Sequence, residues 1–163
     1  MTTKKYTFFW REDSPFSQWY IRDFSEKGIT FNTAERYMMY HKALLFGDKE
    51  IADKILDAVK PKKQKELGRL VKGYDDDIWT QNREIIVYNG NHSKFAQNAD
   101  LLEILLTTRG TILVEASSVD KIWGVGLAKE DPLILDERNW KGLNLLGKVL
   151  TKLREDLDWG NKK

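Results

Sequence analysis

Two side chains in the stretch Phe31 to Gly47, "FNTAERYMMYHKALLFG", have the types and spacing to act on one ligand. The stretch predicts an amphipathic helix, with Ala34, Met38, His41 and Leu45 on one stripe and Gly47 at its end. Glu35 and Lys42 then stand two turns apart on nearly the same face, about 10 Å along the axis. A carboxylate there can carry a proton, and a lysine can serve as a nucleophile. A structural reading competes. Asn32 followed three residues later by Glu35 has the pattern of a capping box, which would commit the carboxylate to the helix N-terminus. Lys42 would then be an ordinary solvated lysine.

Three further clusters carry polar chemistry. In "EASSVDKIWGVGL" a strand ends near Glu115 and runs into a loop holding Asp120, Trp123, Gly124 and Gly126. Polar residues beyond a strand end are well placed for a site. A Gly-x-Gly lets backbone N–H groups approach a ligand, often a phosphate, although it also occurs in ordinary turns. In "DDDIWTQNR", Trp79 lies one turn into a helix with Arg83 four residues on. The pair reads as an aromatic platform beside a phosphate-binding cation, or as a core tryptophan with a surface arginine. In "WKGLNLLGKVL", Asn144 is placed to cap the last helix, whose N-terminus could face an anion.

These residues need elements to hold them. "YTFFW" (6–10) predicts a strand, "REDSPFSQWY" a loop, and "WYIRDF" and "GITFN" two short strands joined at Glu26-Lys27-Gly28. After the first helix, "DKEIADKILDAV" predicts a second with Asp48 as cap. "KPKKQKELGRLVKG" predicts a third, with Pro61 in its first turn and Gly73 after its end. Asp75 to Asp77 suit the N-terminus of a fourth, in which Ile78, Ile85 and Tyr88 form a buried stripe and Asn89-Gly90 either breaks or continues the helix. "NADLLEILLTTRG" reads as a short helix ending near Gly110, "TILVEAS" as a strand, and "NLLGKVLTKLREDL" as the closing helix.

The 163 residues, 41% of them hydrophobic, are expected to form one domain over 1–163, mainly helical with a few short strands (α+β). The absence of cysteine excludes disulfides, Cys-ligated zinc and thiol catalysis. His41 and His92 lie too far apart in sequence to suggest a His-rich metal site. No metal and no organic cofactor is expected. There is no signal peptide and no apolar run long enough to span a bilayer, which points to a soluble cytoplasmic protein with no membrane partner. A net charge of +2 permits a phosphate-bearing ligand without demanding one.

Taken in order, these pieces resemble the NADAR (YbiA-like) family, whose members include N-glycosidases. The residues that carry the resemblance begin with Phe31-x-Thr33-x-Glu35-x-Tyr37 and Lys42, followed by Leu67-Gly68-Arg69 and by Trp79 with Arg83. Lys94-Phe95, Leu105-x-Thr107 and Leu113-Val114-Glu115-Ala116 come next. Asp120-x-x-Trp123-Gly124-x-Gly126 and Trp140-x-Gly142-x-Asn144-Leu145-Leu146-Gly147 close the set, with Arg154 beyond. The match covers almost the whole chain. His41 stands where the family often has glutamine, and the loop from Lys129 to Arg138 lies where the family varies in length.

The resemblance implies a NADAR-type fold and cleavage of a C–N bond between ribose and an exocyclic amine. Its substrate would be ADP-ribose on guanine, in a nucleotide or in DNA. The alternative substrates are phosphoribosyl-aminopyrimidine intermediates of riboflavin synthesis, and the alternative role is an ADP-ribose or NAD-metabolite binding module without turnover. Glu35 or Asp120 would stabilise an oxocarbenium-like state and orient water, and Lys42 would be a covalent partner or a substrate anchor. Trp79 and Trp123 would stack on the base or enclose the sugar. Arg69, Arg83 and the backbone from Gly124 to Gly126 are candidates for phosphate, and Tyr37 and Asn144 complete the binding set.

Overall fold

The computed structural model describes residues 5–161. The described residues form two compact units, one within 5–17 and 98–161, the other of residues 18–97. Among the described residues there are six α-helices and four short strands arranged in two two-stranded sheets, so the fold is mainly α. None of these helices is long and apolar enough to cross a membrane.

The contiguous unit is built around α1 (Ala34–Leu45). Its partners are α2 (Lys49–Asp57), α3 (Pro61–Gly68) and α4 (Asp76–Ala96), with a hairpin of β2 (Phe24–Glu26) and β3 (Ile29–Phe31) preceding it. With neighbours on several sides, α1 buries Ala34, Glu35, Tyr37, Met38, Met39, Tyr40 and Ala43, more of its circumference than a single stripe. The capping box is absent. Thr33 is the N-cap, its side chain accepting from Arg36 N at 2.9 Å. Asn32 instead uses its amide on Val59 O and Gln64. Asp48 and Asp75 cap α2 and α4 as their positions predict.

Fully buried Gln64 of α3 fixes the start of α1. Its Oε1 accepts from the Thr33 hydroxyl at 2.6 Å, and its Nε2 donates to Ala58 O at 2.8 Å and to Asn32 Oδ1 at 2.9 Å. Three sequence expectations are corrected in this unit. The strand expected in "WYIRDF" begins only at the last residue of that stretch and runs Phe24–Glu26, and α3 stops at Gly68 rather than near Gly73. Ile78 and Ile85 are 43% and 54% exposed, Tyr88 is half-buried, and α4 runs unbroken through Asn89-Gly90, burying Trp79, Val87, Gly90, Asn91, Lys94 and Phe95 instead.

The other unit pairs β1 (Tyr6–Phe9) in parallel with β4 (Ile112–Glu115). Tyr6, Val114, Ala116, Val125, Leu127 and Ile134 form its apolar cluster. Here α5 (Ala99–Leu106) ends four residues before Gly110, and α6 (Leu145–Asn161) covers β4. The edge of β4 facing away from β1 would leave backbone groups unpaired. Side chains around α6 supply them. Asn144 donates to Leu113 O and accepts from Glu115 N, both at 3.0 Å, and the Thr151 hydroxyl accepts from Leu113 N. Arg154 donates to Thr111 O and Thr108 O. Asn144 therefore completes a strand edge with its side chain rather than capping α6.

This close approach requires Gly147. A Cβ there would lie 2.0 Å from Leu113 O and 2.4 Å from Asn144 Oδ1. Gly147→Ala is expected to destabilise the fold by about 3 kcal/mol, since the obstructing atoms are backbone and a committed side chain. Urea denaturation measures this.

A second expectation concerns Lys94, which is fully buried. Burial, reinforced by the charge of Arg22, pushes its ammonium down to about 7. The unfolded value is about 10.4, so the folded chain binds this proton less well. The resulting stability is complete above the unfolded value and is lost as pH falls towards 7, with a slope of at most about 1.4 kcal/mol per pH unit. Between pH 7 and pH 9.5 the wild type is expected to gain stability relative to Lys94→Met, read from paired urea curves.

Candidate active site

The Glu35–Lys42 spacing falls on a face of α1 that meets other polar and aromatic groups of the same unit. The Lys42 ammonium donates to Gly68 O at 2.9 Å, at the C-terminal end of α3, where carbonyls lack helical partners. It lies 4.8 Å from the centre of the Tyr74 ring and 5.6 Å from that of Trp79. Gly68 packs directly under Met39 of α1: a Cβ there would sit 1.9 Å from the Met39 sulfur, so any larger residue would require that side chain to move. That contact brings the carbonyl within reach of Lys42.

Glu35 is only 5% exposed. Its Oε1 accepts from the Trp19 indole Nε1–H at 3.2 Å, and its backbone N–H donates to Gln18 O at 2.9 Å. The Lys42 pKa is lowered, first by burial. Glu35 opposes that fall and Arg69, at the C-terminus of α3, adds to it. Glu35, Lys42 and Arg69 thus form one electrostatic group.

Trp79 is buried with one ring face toward the Lys42 ammonium. Arg83, one turn further along α4, keeps a buried Nε that finds no hydrogen-bond partner among the described residues. Its charge also reaches Tyr74. Tyr37 stands about 200° round α1 from Glu35. Its hydroxyl donates to Glu26 Oε2 at 2.6 Å, and its ring packs 4.2 Å from that of His41. His41 Nε2 reaches Glu26 Oε1 at 3.1 Å.

The remaining sequence candidates lie together in the unit that contains β4. Asp120 Oδ1 accepts from Ile122 N at 2.9 Å and from Trp123 N at 2.8 Å, so this carboxylate shapes its own loop. A Cβ on Gly124 would meet Asp120 O and Glu115 O at 2.9 and 3.0 Å, and Gly126 has φ +72. Both glycines are required by the backbone path. The N–H groups of Asn144, Leu145 and Leu146 donate to Gly124 O, Ile122 O and Trp123 O. The N-terminus of α6 is therefore closed by loop carbonyls rather than open to an anion.

Sequence reasoning missed Trp19 and Tyr74. Trp19 sits in a loop, and Tyr74 immediately precedes the α4 cap. A helical period cannot connect either of them to α1. Among the described residues, no group of three or more His, Asp or Glu side chains is placed to hold a metal ion.

The sequence matches the NADAR domain model over residues 8–158. The chain belongs to the NADAR family. It is 44% identical over 167 residues to N-glycosidase R617 of Acanthamoeba polyphaga mimivirus, covering 96% of this chain and 98% of that protein. To Protein irg-1 of Caenorhabditis elegans it is 41% identical over 171 residues, covering 95% and 81%. The NMR structure of E. coli YbiA is similar at a TM-score of 0.81 and 26% identity, over 98% of this chain and 89% of that one. This NADAR chain thus shares its fold with a solved relative along nearly its whole length.

The electrostatic group has a measurable signature. In an NMR titration of labelled lysines, Lys42 is expected to deprotonate below the ordinary lysine range. Glu35→Gln is expected to move it further down, and Arg69→Gln to move it back up.

Proposed function

We propose that this chain is an N-glycosidase that removes ADP-ribose from guanine in DNA, with Glu35 and Lys42 at its reacting centre. The observation that carries this reading is the Glu35–Lys42–Arg69 group. It joins a buried carboxylate to an amine of lowered pKa on one helix face, beside Trp79 and Tyr74. The hydrolase class is supported by a 44% identical relative named as an N-glycosidase. A phosphate-bearing purine substrate is supported by two features: aromatic rings for stacking, and Arg83, whose Nε–H is buried without a hydrogen-bond partner among the described residues.

In a dissociative path the C1′–N bond breaks with its electron pair going to nitrogen, and the ribose gains positive charge. Glu35 stabilises that charge and takes a proton from the incoming water, whose oxygen bonds to C1′. The departing guanine nitrogen receives the proton that Glu35 took from water, so the amine leaves neutral and the carboxylate is restored. In the second path the substrate opens to an imine at C1′. The neutral amine of Lys42 displaces guanine there, and water then hydrolyses the lysine imine to release ADP-ribose. Burial and Arg69 favour the neutral amine that this step needs. Asp120 is the alternative carboxylate, and Trp123, Gly124, Gly126, Asn144 and Tyr37 remain binding candidates.

The test is turnover of DNA carrying ADP-ribosylated guanine by wild type, Glu35→Gln and Lys42→Ala, followed by chromatography of released ADP-ribose. The wild type is expected to release it, and each variant to lose about 10²–10⁴-fold in kcat. Borohydride trapping of a lysine adduct separates the second path from the first. Intact DNA with cleavage of a phosphoribosyl-aminopyrimidine would replace guanine by the riboflavin intermediate. Tight ADP-ribose binding without turnover of either would replace the enzyme by a binding module.

A further inference from the structure

We infer that Trp19 is a positioning residue for Glu35: its indole N–H holds the carboxylate in the orientation in which it acts. The inference rests on the proposed role of Glu35. The geometry is a two-point clamp by adjacent residues. Gln18 O receives the Glu35 backbone N–H at 2.9 Å, and Trp19 Nε1–H donates to Glu35 Oε1 at 3.2 Å.

The clamp is itself anchored. The Gln18 side chain is buried, and its Oε1 accepts from Asn91 Nδ2 at 2.8 Å. Asn91 in turn donates to Val87 O within α4 at 2.9 Å. Segment 18–19 is thus tied to α4 on one side and to α1 on the other. On its ring face, Trp19 lies 6.0 Å from the Lys65 ammonium of α3. The helix cap is Thr33, so Glu35 makes this bond rather than the reciprocal bond of a capping box.

An N–H donor on a carboxylate favours its ionised form and fixes its plane. Glu35 also favours the charged form of Lys42, so Trp19 acts on both proposed reacting groups while hydrogen-bonding only one. Loss of a hydrogen bond to a charged group lowers kcat by about ten- to a hundredfold when that bond counts fully only in the transition state.

The experiment is a double-mutant cycle of Trp19→Phe with Glu35→Gln, read as kcat and KM across pH on ADP-ribosylated guanine DNA. Trp19→Phe is expected to lower kcat about ten- to a hundredfold, to change KM little, and to move the acid limb of the pH profile upward. Adding Trp19→Phe to Glu35→Gln is expected to cost little more, because the carboxylate whose orientation Trp19 sets no longer takes part in the reaction. A raised KM at unchanged kcat, or full additivity, overturns the inference: Trp19 would then contact substrate or act only on packing. Full activity in Glu35→Gln alone would instead overturn the proposed role of Glu35. Should Trp19→Phe fail to fold, the indole N–H resonance of Trp19 is followed in wild type and Glu35→Gln. It is expected to shift with Glu35 titration in the wild type and to lose that dependence in the variant. An unchanged resonance overturns the hydrogen bond itself.

Discussion

A buried carboxamide must satisfy an oxygen and an NH₂ group together, and within each unit taken by itself this constraint fixes how neighbouring elements meet. Gln64 and Asn144 are each fully buried. Gln64 joins the first residues of α1 to the turn between α2 and α3. Asn144 completes the outer edge of β4, taking the carbonyl of one residue and the N–H of another two places on. An apolar side chain of similar size would strand backbone groups at either place.

The candidate site inherits its geometry from the first of these contacts. Gln64 and Gly68 are one turn apart on α3, so they share a face. One meets Thr33 at the head of α1, and the other meets Met39 and Lys42 further along it. The same short helix therefore touches α1 near both Glu35 and Lys42. Burial, a helix-end carbonyl and two aromatic rings then act on Lys42 at once. Its charge state depends on this packing as much as on its own chemistry.

Much of this was legible from residue types. Asp48 and Asp75 announce helix starts, "TILVEAS" announces β4, and seven-residue spacing puts Glu35 and Lys42 on one face. Three things were not. Periodicity finds a stripe but not which side meets protein, so the exposed Ile78 and Ile85 were expected inside while Asn91 and Lys94 occupy the interior. Asn32 and Thr33 can both cap a helix, and only the demand of Gln64 for partners decides between them. Trp19 reaches Glu35 across 16 residues of loop and hairpin, a distance over which no local pattern runs.

The order of the units along the chain has a consequence for synthesis. The hydroxyls of Thr7 and Thr111 meet at 2.6 Å although 104 positions separate them, and β1 gains its partner only when β4 arrives. Residues 18–97 are contiguous and hold their helix contacts among themselves. On the ribosome the half with α1 at its centre can therefore condense early, while β1 waits with an unpaired edge. Long-range pairing of this kind slows folding, because a long loop must close before any contact rewards it. Until β4 is made, the unpaired edge of β1 is the kind of surface that invites aggregation or a chaperone.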